Sequence, residues 1–324
     1  MAQVTSLLLV PLVTLILSVS GVISTTFTII NSCGHTVWPG ILSNAGVPPL
    51  SPTGFALQKG ESKIITAPTS WGGRLWGRTL CSLDSTGNFS CVTGDCGSGK
   101  MECSGFGKPP ATLAEFTLDG GNGLDFFDVS LVDGYNLPLL VVPQGGTGQN
   151  CTTIGCVTDL NDSCPSELKV TSSGSDGTSV ACKSACEAFG QPQYCCSGAY
   201  ATPDVCKPST YSQIFKRACP QAYSYAYDDK TSTFTCASAD YTITFCPTPN
   251  TSKKASQGQT TASNPRTATT ETPSVNSAMI YEGALGESNA SPHTRGQVSR
   301  SHAIAAALSI ALAIWRSWHC RVLF

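Results

Sequence analysis

From Thr25 onwards, short runs of alternating apolar and polar residues recur, separated by clusters of Gly, Pro, Asn and Ser. A period of two bounded by turn residues is the mark of half-buried strands. It predicts strands over Thr26–Ile30, Lys63–Thr66, Leu113–Leu118, Phe126–Leu131, Leu139–Val142 and Tyr241–Phe245. Joins such as Gly120-Gly121-Asn122-Gly123 supply the chain reversals. The expected architecture is mainly β, a sandwich or flattened barrel. Helical periodicity is sparse. Val180–Phe189 and Ser209–Arg217 carry it best, the second with Ser209 as N-cap and Tyr211, Ile214 and Phe215 on one face. Both lie in or just after a dense group of cysteines, which predicts a separate disulfide-rich lobe beside the sheets.

The pattern changes at both ends. Leu7–Ile16 is an apolar run broken by Pro11 and followed by the small residues Ser18, Ser20, Gly21 and Ser24. Residues 1–24 therefore read as a secretory signal peptide, removed at or near Ser24. A membrane anchor would want about 20 apolar residues without proline. Residues 248–302 are rich in Thr, Ser, Asn, Gln and Ala. They bury too little apolar surface to offset chain entropy and read as a disordered Ser/Thr-rich stalk. Residues 303–324 form a hydrophobic tail whose apolar block, Ala303–Trp315, is thirteen residues long. A helix of that length spans about 20 Å, short of a hydrocarbon core of about 30 Å. With Ser288, Asn289 and Ala290 upstream and a polar spacer between, the tail fits a GPI-attachment signal at Ser288 or Asn289 better, although Arg316 and Arg321 interrupt it. A short membrane anchor and no anchor at all are the alternatives.

Charge and cysteine then narrow the class of the middle domain, residues 25–247. It holds 12 Lys and Arg against 18 Asp and Glu, a net charge of −6. That argues against nucleic acid and against anionic membrane surfaces, leaving the tail as the one membrane contact. Sixteen of the 17 cysteines lie between Cys33 and Cys246. An even count behind a signal peptide reads as a disulfide framework. There is no Cys-x-x-Cys pair, and His35 is the only histidine in the domain, so no metal site and no cofactor are expected. The same count leaves a histidine-dependent triad only His35. Gly94–Lys100 imitates a phosphate loop, but Met101 stands where Ser or Thr would bind magnesium. Glycosylation sequons occur at Asn88, Asn150, Asn161, Asn250 and Asn289. Those at Asn88 and Asn150 sit close to cysteines, whereas Asn161 and Asn250 read as surface sites.

The segment Gly87-Asn-Phe89-Ser-Cys91-Val-Thr93-Gly94-Asp95-Cys96-Gly-Ser-Gly99-Lys-Met-Glu-Cys103 resembles the signature of thaumatin-like proteins, the plant pathogenesis-related family five. The likeness continues through Thr36-Val-Trp38-Pro-Gly40, Ala111-Thr-Leu-Ala-Glu115-Phe, Leu124-Asp-Phe-Phe-Asp128-Val-Ser, Tyr194-Cys-Cys196 and Tyr223-Ser-Tyr225-Ala-Tyr227-Asp228-Asp229, and ends at Phe245-Cys246-Pro247. It covers nothing in the stalk or tail. The resemblance implies a flattened β-sandwich barrel with a disulfide-rich helical lobe and a small disulfide loop lobe. It also implies eight bridges: Cys33–Cys246, Cys81–Cys91, Cys96–Cys103, Cys151–Cys236, Cys156–Cys219, Cys164–Cys182, Cys186–Cys195 and Cys196–Cys206.

It further implies a cleft lined by Arg78, Glu115, Asp128, Asp133 and Asp228, with the adjacent Asp229 as a substitute for Asp228. Four converging carboxylates repel one another, so at least one should hold its proton to higher pH. A raised Glu beside an ionised Asp is the pair that glycoside hydrolysis needs, which makes Glu115 the candidate acid and Asp128 or Asp133 the base. Tyr223, Tyr225 and Phe106 are candidates for stacking on sugar rings, with core or lobe packing as the plainer role. Two functions follow from the resemblance. One is a monomeric, secreted or surface-anchored defence protein that binds fungal cell-wall β-glucan without cutting it. The other is a weak endo-β-1,3-glucanase. A wall-tethered structural or developmental role is a third.

Overall fold

The computed structural model describes residues 24–172 and 177–248. The signal peptide, the stalk, the tail, Asn250 and the Ser288/Asn289 attachment site lie outside them. Thirteen strands run in chain order as β1 (Thr25–Asn31), β2 (Trp38–Ser43), β3 (Ser62–Ala67), β4 (Gly72–Leu83), β5 (Phe89–Thr93), β6 (Leu113–Thr117), β7 (Asp125–Ser130), β8 (Leu139–Gln144), β9 (Ile154–Cys156), β10 (Lys169–Thr171), β11 (Ser179–Cys182), β12 (Phe234–Cys236) and β13 (Asp240–Phe245). Four helices are interposed late in the chain: α1 (Ala185–Phe189), α2 (Pro192–Cys195), α3 (Thr210–Ala218) and α4 (Asp229–Ser232).

One sheet has the order β3-β1-β13-β8-β9, and the other β12-β7-β6-β4-β2 with β5 paired to β4. Alternation decides which faces meet. On β1, Phe27, Ile29 and Asn31 point inward, and Tyr241, Ile243 and Phe245 of β13 lie beside them in parallel register. From the other sheet come Leu75, Ala114, Phe116, Phe127 and Val129. Phe27, Trp71, Phe116, Phe127 and Tyr241 interlock with ring centroids 4.8–6.2 Å apart. The two polar groups of this cluster are satisfied: the Tyr241 hydroxyl donates to Asp125 Oδ2 and the Trp71 indole N–H to Ser43 Oγ, both at 2.8 Å.

The outer face of the second sheet is covered too. Trp76 lies against Cys96, Cys103, Ala111 and Leu113, with its indole N–H on the Gly94 carbonyl at 2.8 Å. Its ring leaves no room for side chains at two neighbours: a Cβ at Gly40 would come within 2.6 Å and one at Gly107 within 2.4 Å. This is the small loop lobe, closed by Cys96–Cys103. Asp95 shapes it by accepting from the backbone N–H groups of Cys91 and Gly97, both at 2.7 Å.

The helical lobe is small and stapled. The expected helix over Val180–Phe189 is half strand: Ser179–Cys182 pairs with Lys169–Thr171, and helix begins only after Ser184, whose side chain accepts from the Glu187 N–H. Ser209 caps α3 as predicted, accepting from Ser212 N–H at 3.0 Å, and Phe215 is the buried residue that anchors the helix. The bridges are the eight pairs that the resemblance implies, from Cys33–Cys246 across 213 residues to Cys96–Cys103 across 7. Among the described residues no helix is long and apolar enough to cross a membrane.

Candidate functional site

The outer faces of β4, β6 and β7 carry a row of charge. Arg74 pairs with Glu115, and Glu115 with Asp128, in the antiparallel register. Side chains directly opposite each other have Cβ atoms about 4.5–5.5 Å apart. Arg74 Nε reaches Glu115 Oε1 at 3.6 Å, with side chains 13 % and 22 % exposed. Asp128 is 1 % exposed, and its Oδ1 has no hydrogen-bond partner. Asp133, on the turn after β7, faces Glu115 from one side. Asp229, at the start of α4, faces Asp128 from the other. Tyr223 fixes Asp229 by donating to its Oδ1 at 3.0 Å, and the same hydroxyl contacts Thr233 Oγ1.

The environments of the two central acids differ. Burial pushes the Glu115 carboxyl up, Arg74 pulls it back, Asp133 adds repulsion, and the Ser130 hydroxyl favours the charged form. Asp128 is pushed well above the ordinary carboxylate range by burial and then by the charge of Glu115, with Arg74 opposing and Asp229 reinforcing. Of the two, Asp128 is the one pushed harder toward its protonated form, and Glu115 is the one in contact with the guanidinium. The expectation from sequence is Glu115 as acid with Asp128 or Asp133 as base; both Glu115 and Asp128 are raised, Asp128 the more strongly. The physical reason is position: Glu115 sits between Arg74 and Asp128, and Asp128 has only acids on either side. Glu187, across from Asp133 on α1, is also raised by burial, with Lys183 opposing and Asp133 reinforcing. The site is a strip of carboxyl oxygens with one guanidinium, a set suited to sugar hydroxyls. Among the described residues no group of His, Cys, Asp and Glu is placed to hold a metal ion.

Two residues expected in the cleft are elsewhere. Arg78 is four residues beyond Arg74, about 13 Å along the strand, opposite Trp38 of β2 and past the end of the β6 ladder. It is fully buried, donating to the carbonyls of Trp38 at 2.9 Å, Met101 at 2.6 Å and Pro39 at 3.3 Å, with Phe89 against its guanidinium. Burial lowers it to about 10 despite Asp95 and Glu102 nearby. Arg78 ties the signature loop to the sheet, and Arg74 is the arginine of the acidic row. Asp228 is likewise committed, bridging Lys216 Nζ at 2.9 Å and accepting from Ser224 N–H and Oγ at 3.1 and 2.9 Å. Its neighbour Asp229 takes the place beside Asp128.

The other candidates separate in the same way. Tyr223 is 7 % exposed and serves Asp229, Tyr225 lines a depression nearby, and Phe106 is an exposed side chain on the loop lobe. Asn88 and Asn150 are exposed. Asn161 is not a free surface site: its Nδ2, the atom a glycan would join, donates to the Asn136 carbonyl at 3.1 Å, and its Oδ1 is buried. Three residues were not legible as members of the site: Arg74, Glu187 and the supporting Thr233. Only Glu187 carried a local signal, the Ser184-x-x-Glu187 capping pattern, and that marks a helix start rather than a cleft.

Known proteins share the whole described domain. Thaumatin-like protein 1 of Arabidopsis thaliana is 61 % identical over 229 residues, which is 68 % of this chain and 86 % of that one. A protein of Prunus avium named glucan endo-1,3-beta-glucosidase is 54 % identical, covering 72 % of this chain and 94 % of its own. The PR5-like receptor kinase of Arabidopsis thaliana is 58 % identical over 71 % of this chain, but the match spans only 35 % of that protein. Residues 31–247 match the thaumatin family model, and the chain belongs to the thaumatin family.

Proposed function

We propose that the protein is a secreted or surface-anchored plant defence protein that binds β-1,3-glucan of the fungal cell wall through the row Arg74–Glu115–Asp128 and its flanking acids Asp133 and Asp229. The cross-strand row carries the reading: two carboxyls, one pushed harder toward its protonated form, and one guanidinium on a rigid sheet give acceptors and donors for neighbouring sugar hydroxyls. The name of the Prunus avium relative supports glucan as the class of ligand. Eight disulfides support an oxidising, extracellular setting. The leader and the C-terminal tail supply the route and the anchor, and the protein acts as a monomer.

Hydrolysis is the second reading, favoured by that relative's name and by the close opposition of two carboxyls. Direct cross-strand neighbours, with Cβ atoms about 4.5–5.5 Å apart, can bring their carboxyls within the roughly 5–5.5 Å of a retaining pair. Against it, Asp128 is too buried to meet a glycosidic oxygen without the site opening. Insoluble β-1,3-glucan pull-down with wild type and Glu115→Gln tests binding, and the release of reducing ends from laminarin tests turnover. The expected result is retention by wild type, loss of retention with Glu115→Gln, and no new reducing ends. Equal retention of the two proteins overturns the binding reading, and reducing ends that vanish with Glu115→Gln would establish the enzyme.

A further inference from the structure

We infer that the helical lobe carries a second saccharide-contact surface, a platform of Phe189, Tyr194 and Tyr211 that takes sugar faces of a β-1,3-glucan extending beyond the acidic row. The inference rests on the glucan reading above and names where a longer chain would go.

The platform comes from three helices brought together by a staple. Phe189 ends α1, Tyr194 is on α2 and Tyr211 is in the first turn of α3. Cys186–Cys195 joins α1 to α2. The ring centroids lie 5.3 Å apart for Phe189 and Tyr211, 5.6 Å for Phe189 and Tyr194, and 6.1 Å for the two tyrosines. Tyr211 is held from outside the cluster by its hydroxyl, which donates to Glu167 Oε1 at 3.0 Å. Yet the cluster is not sunk into the lobe. Phe189 is 36 % exposed and both tyrosines are partly open, whereas Phe215 on the same α3 is buried and supplies the packing. A small lobe that exposes three pre-ordered rings leaves apolar surface wet unless something covers it.

Two further observations point to a saccharide as the occupant. First, Tyr194 also borders a shallow surface depression lined further by Val132, Ser184, Ser224 and Tyr225. Ser224 donates to Asp228, the residue next to Asp229 of the acidic site. Val132, the chain neighbour of Asp133, and Ser224, the partner of Asp228, both line it, so the depression leads from Tyr194 toward the acidic row. Second, the chemistry fits: pyranose rings present C–H faces to aromatic rings and hydroxyls to polar edges, and Tyr supplies both an apolar body and a polar tip. The rings are inclined to one another by 46°, 49° and 79°. Rings so inclined do not form one flat stacking face. A twisted β-1,3-glucan is therefore the inferred occupant in preference to the flat ribbon of a β-1,4-glucan.

Calorimetric titration of the purified protein with laminaritriose, laminarihexaose and cellohexaose tests this. Wild type is expected to bind the β-1,3 hexaose more tightly than the triose and to bind cellohexaose poorly. Phe189→Ala should weaken the hexaose about threefold to tenfold, the scale of one lost aromatic contact, and leave the triose unchanged; Phe189→Trp should restore the hexaose. Unchanged near-ultraviolet circular dichroism checks that the lobe stays folded, and perturbation of the Phe189, Tyr194 and Tyr211 ring resonances by the hexaose reports contact without a variant. If Phe189→Ala binds the hexaose like wild type and those resonances do not move, the platform is wrong, while loss of binding in Glu115→Gln would still uphold the acidic site. If Glu115→Gln binds like wild type but Phe189→Ala does not, the acidic site falls and the platform stands. Absence of β-1,3 binding by wild type removes both.

Discussion

At the scale of single residues, two arginines four apart on one face of one strand have opposite duties. Arg78 fills a closed site of backbone carbonyls, and removing it takes away the guanidinium donors of Trp38 and Met101, while the Pro39 carbonyl keeps the Phe55 N–H. Each orphaned group costs about 1–3 kcal/mol, so Arg78→Ala should lose at least about 2 kcal/mol in urea unfolding with the disulfides intact. Arg74 is partly exposed and its ion pair is loose. Solvent screening keeps such a pair below about 1 kcal/mol, so Arg74→Ala should leave the urea midpoint nearly unchanged while reducing glucan retention. Comparable stability losses in both variants would refute this division. Asp128 gives a sharper test because its carboxyl is raised in the folded state by burial and by Glu115. A raised carboxyl favours folding below its unfolded value of about 3.9, and that contribution disappears as pH rises through the folded value. Asp128→Asn mimics the protonated form at every pH. The variant should therefore gain on wild type progressively as pH rises from about 4 to 7.5. A stability difference that stays constant over that interval would mean Asp128 is charged in the native protein.

At the scale of elements, the chain announces its regular strands and conceals the irregular ones. β1, β3 and β13 alternate, β6, β7 and β8 are short apolar-rich runs bounded by turn residues, and all were readable within a residue or two of their ends. β4 was not, because Gly72, Gly73 and Gly77 interrupt its hydrophobic pattern. Those gaps are steric: a Cβ at Gly73 would meet the Leu42 carbonyl at 2.4 Å, and one at Gly77 would press on Val37, Leu137 and Phe245 at 3.0–3.1 Å. The three-residue strands β9, β10 and β12 are too short to show any period. Missing β4 had a direct consequence for the site. Gly73-Arg74 and Gly77-Arg78 look alike as text, and only the pairing of β4 with β6 decides which arginine faces Glu115. The acids were easier, since Glu115 and Asp128 sit on two of the readable strands. Their opposition across the sheet, and so the question of which keeps the proton, depended on register.

At the scale of the molecule, the disulfides do two kinds of work that experiment can separate. Cys33–Cys246 closes a loop of 213 residues and joins the ends of the parallel pair β1 and β13. By loop entropy such a closure contributes about 5 kcal/mol, and a closure of about ten residues roughly half of that. Yet the long bridge is fixed to the sheet that does not carry the acidic row. Cys186–Cys195 spans only 9 residues but joins the helices that present Phe189 and Tyr194. Replacing the first pair by serines should sharply lower the urea midpoint while leaving laminarihexaose affinity intact under native conditions. Replacing the second should cost less stability but weaken the hexaose, because the platform loses its order before the sandwich loses its fold. The triose, which reaches only the acidic row, should bind equally well to both variants. If the two replacements lower hexaose affinity in proportion to stability, the lobe and the sandwich act as one cooperative unit. Recognition would then depend on global folding and not on a locally stapled surface.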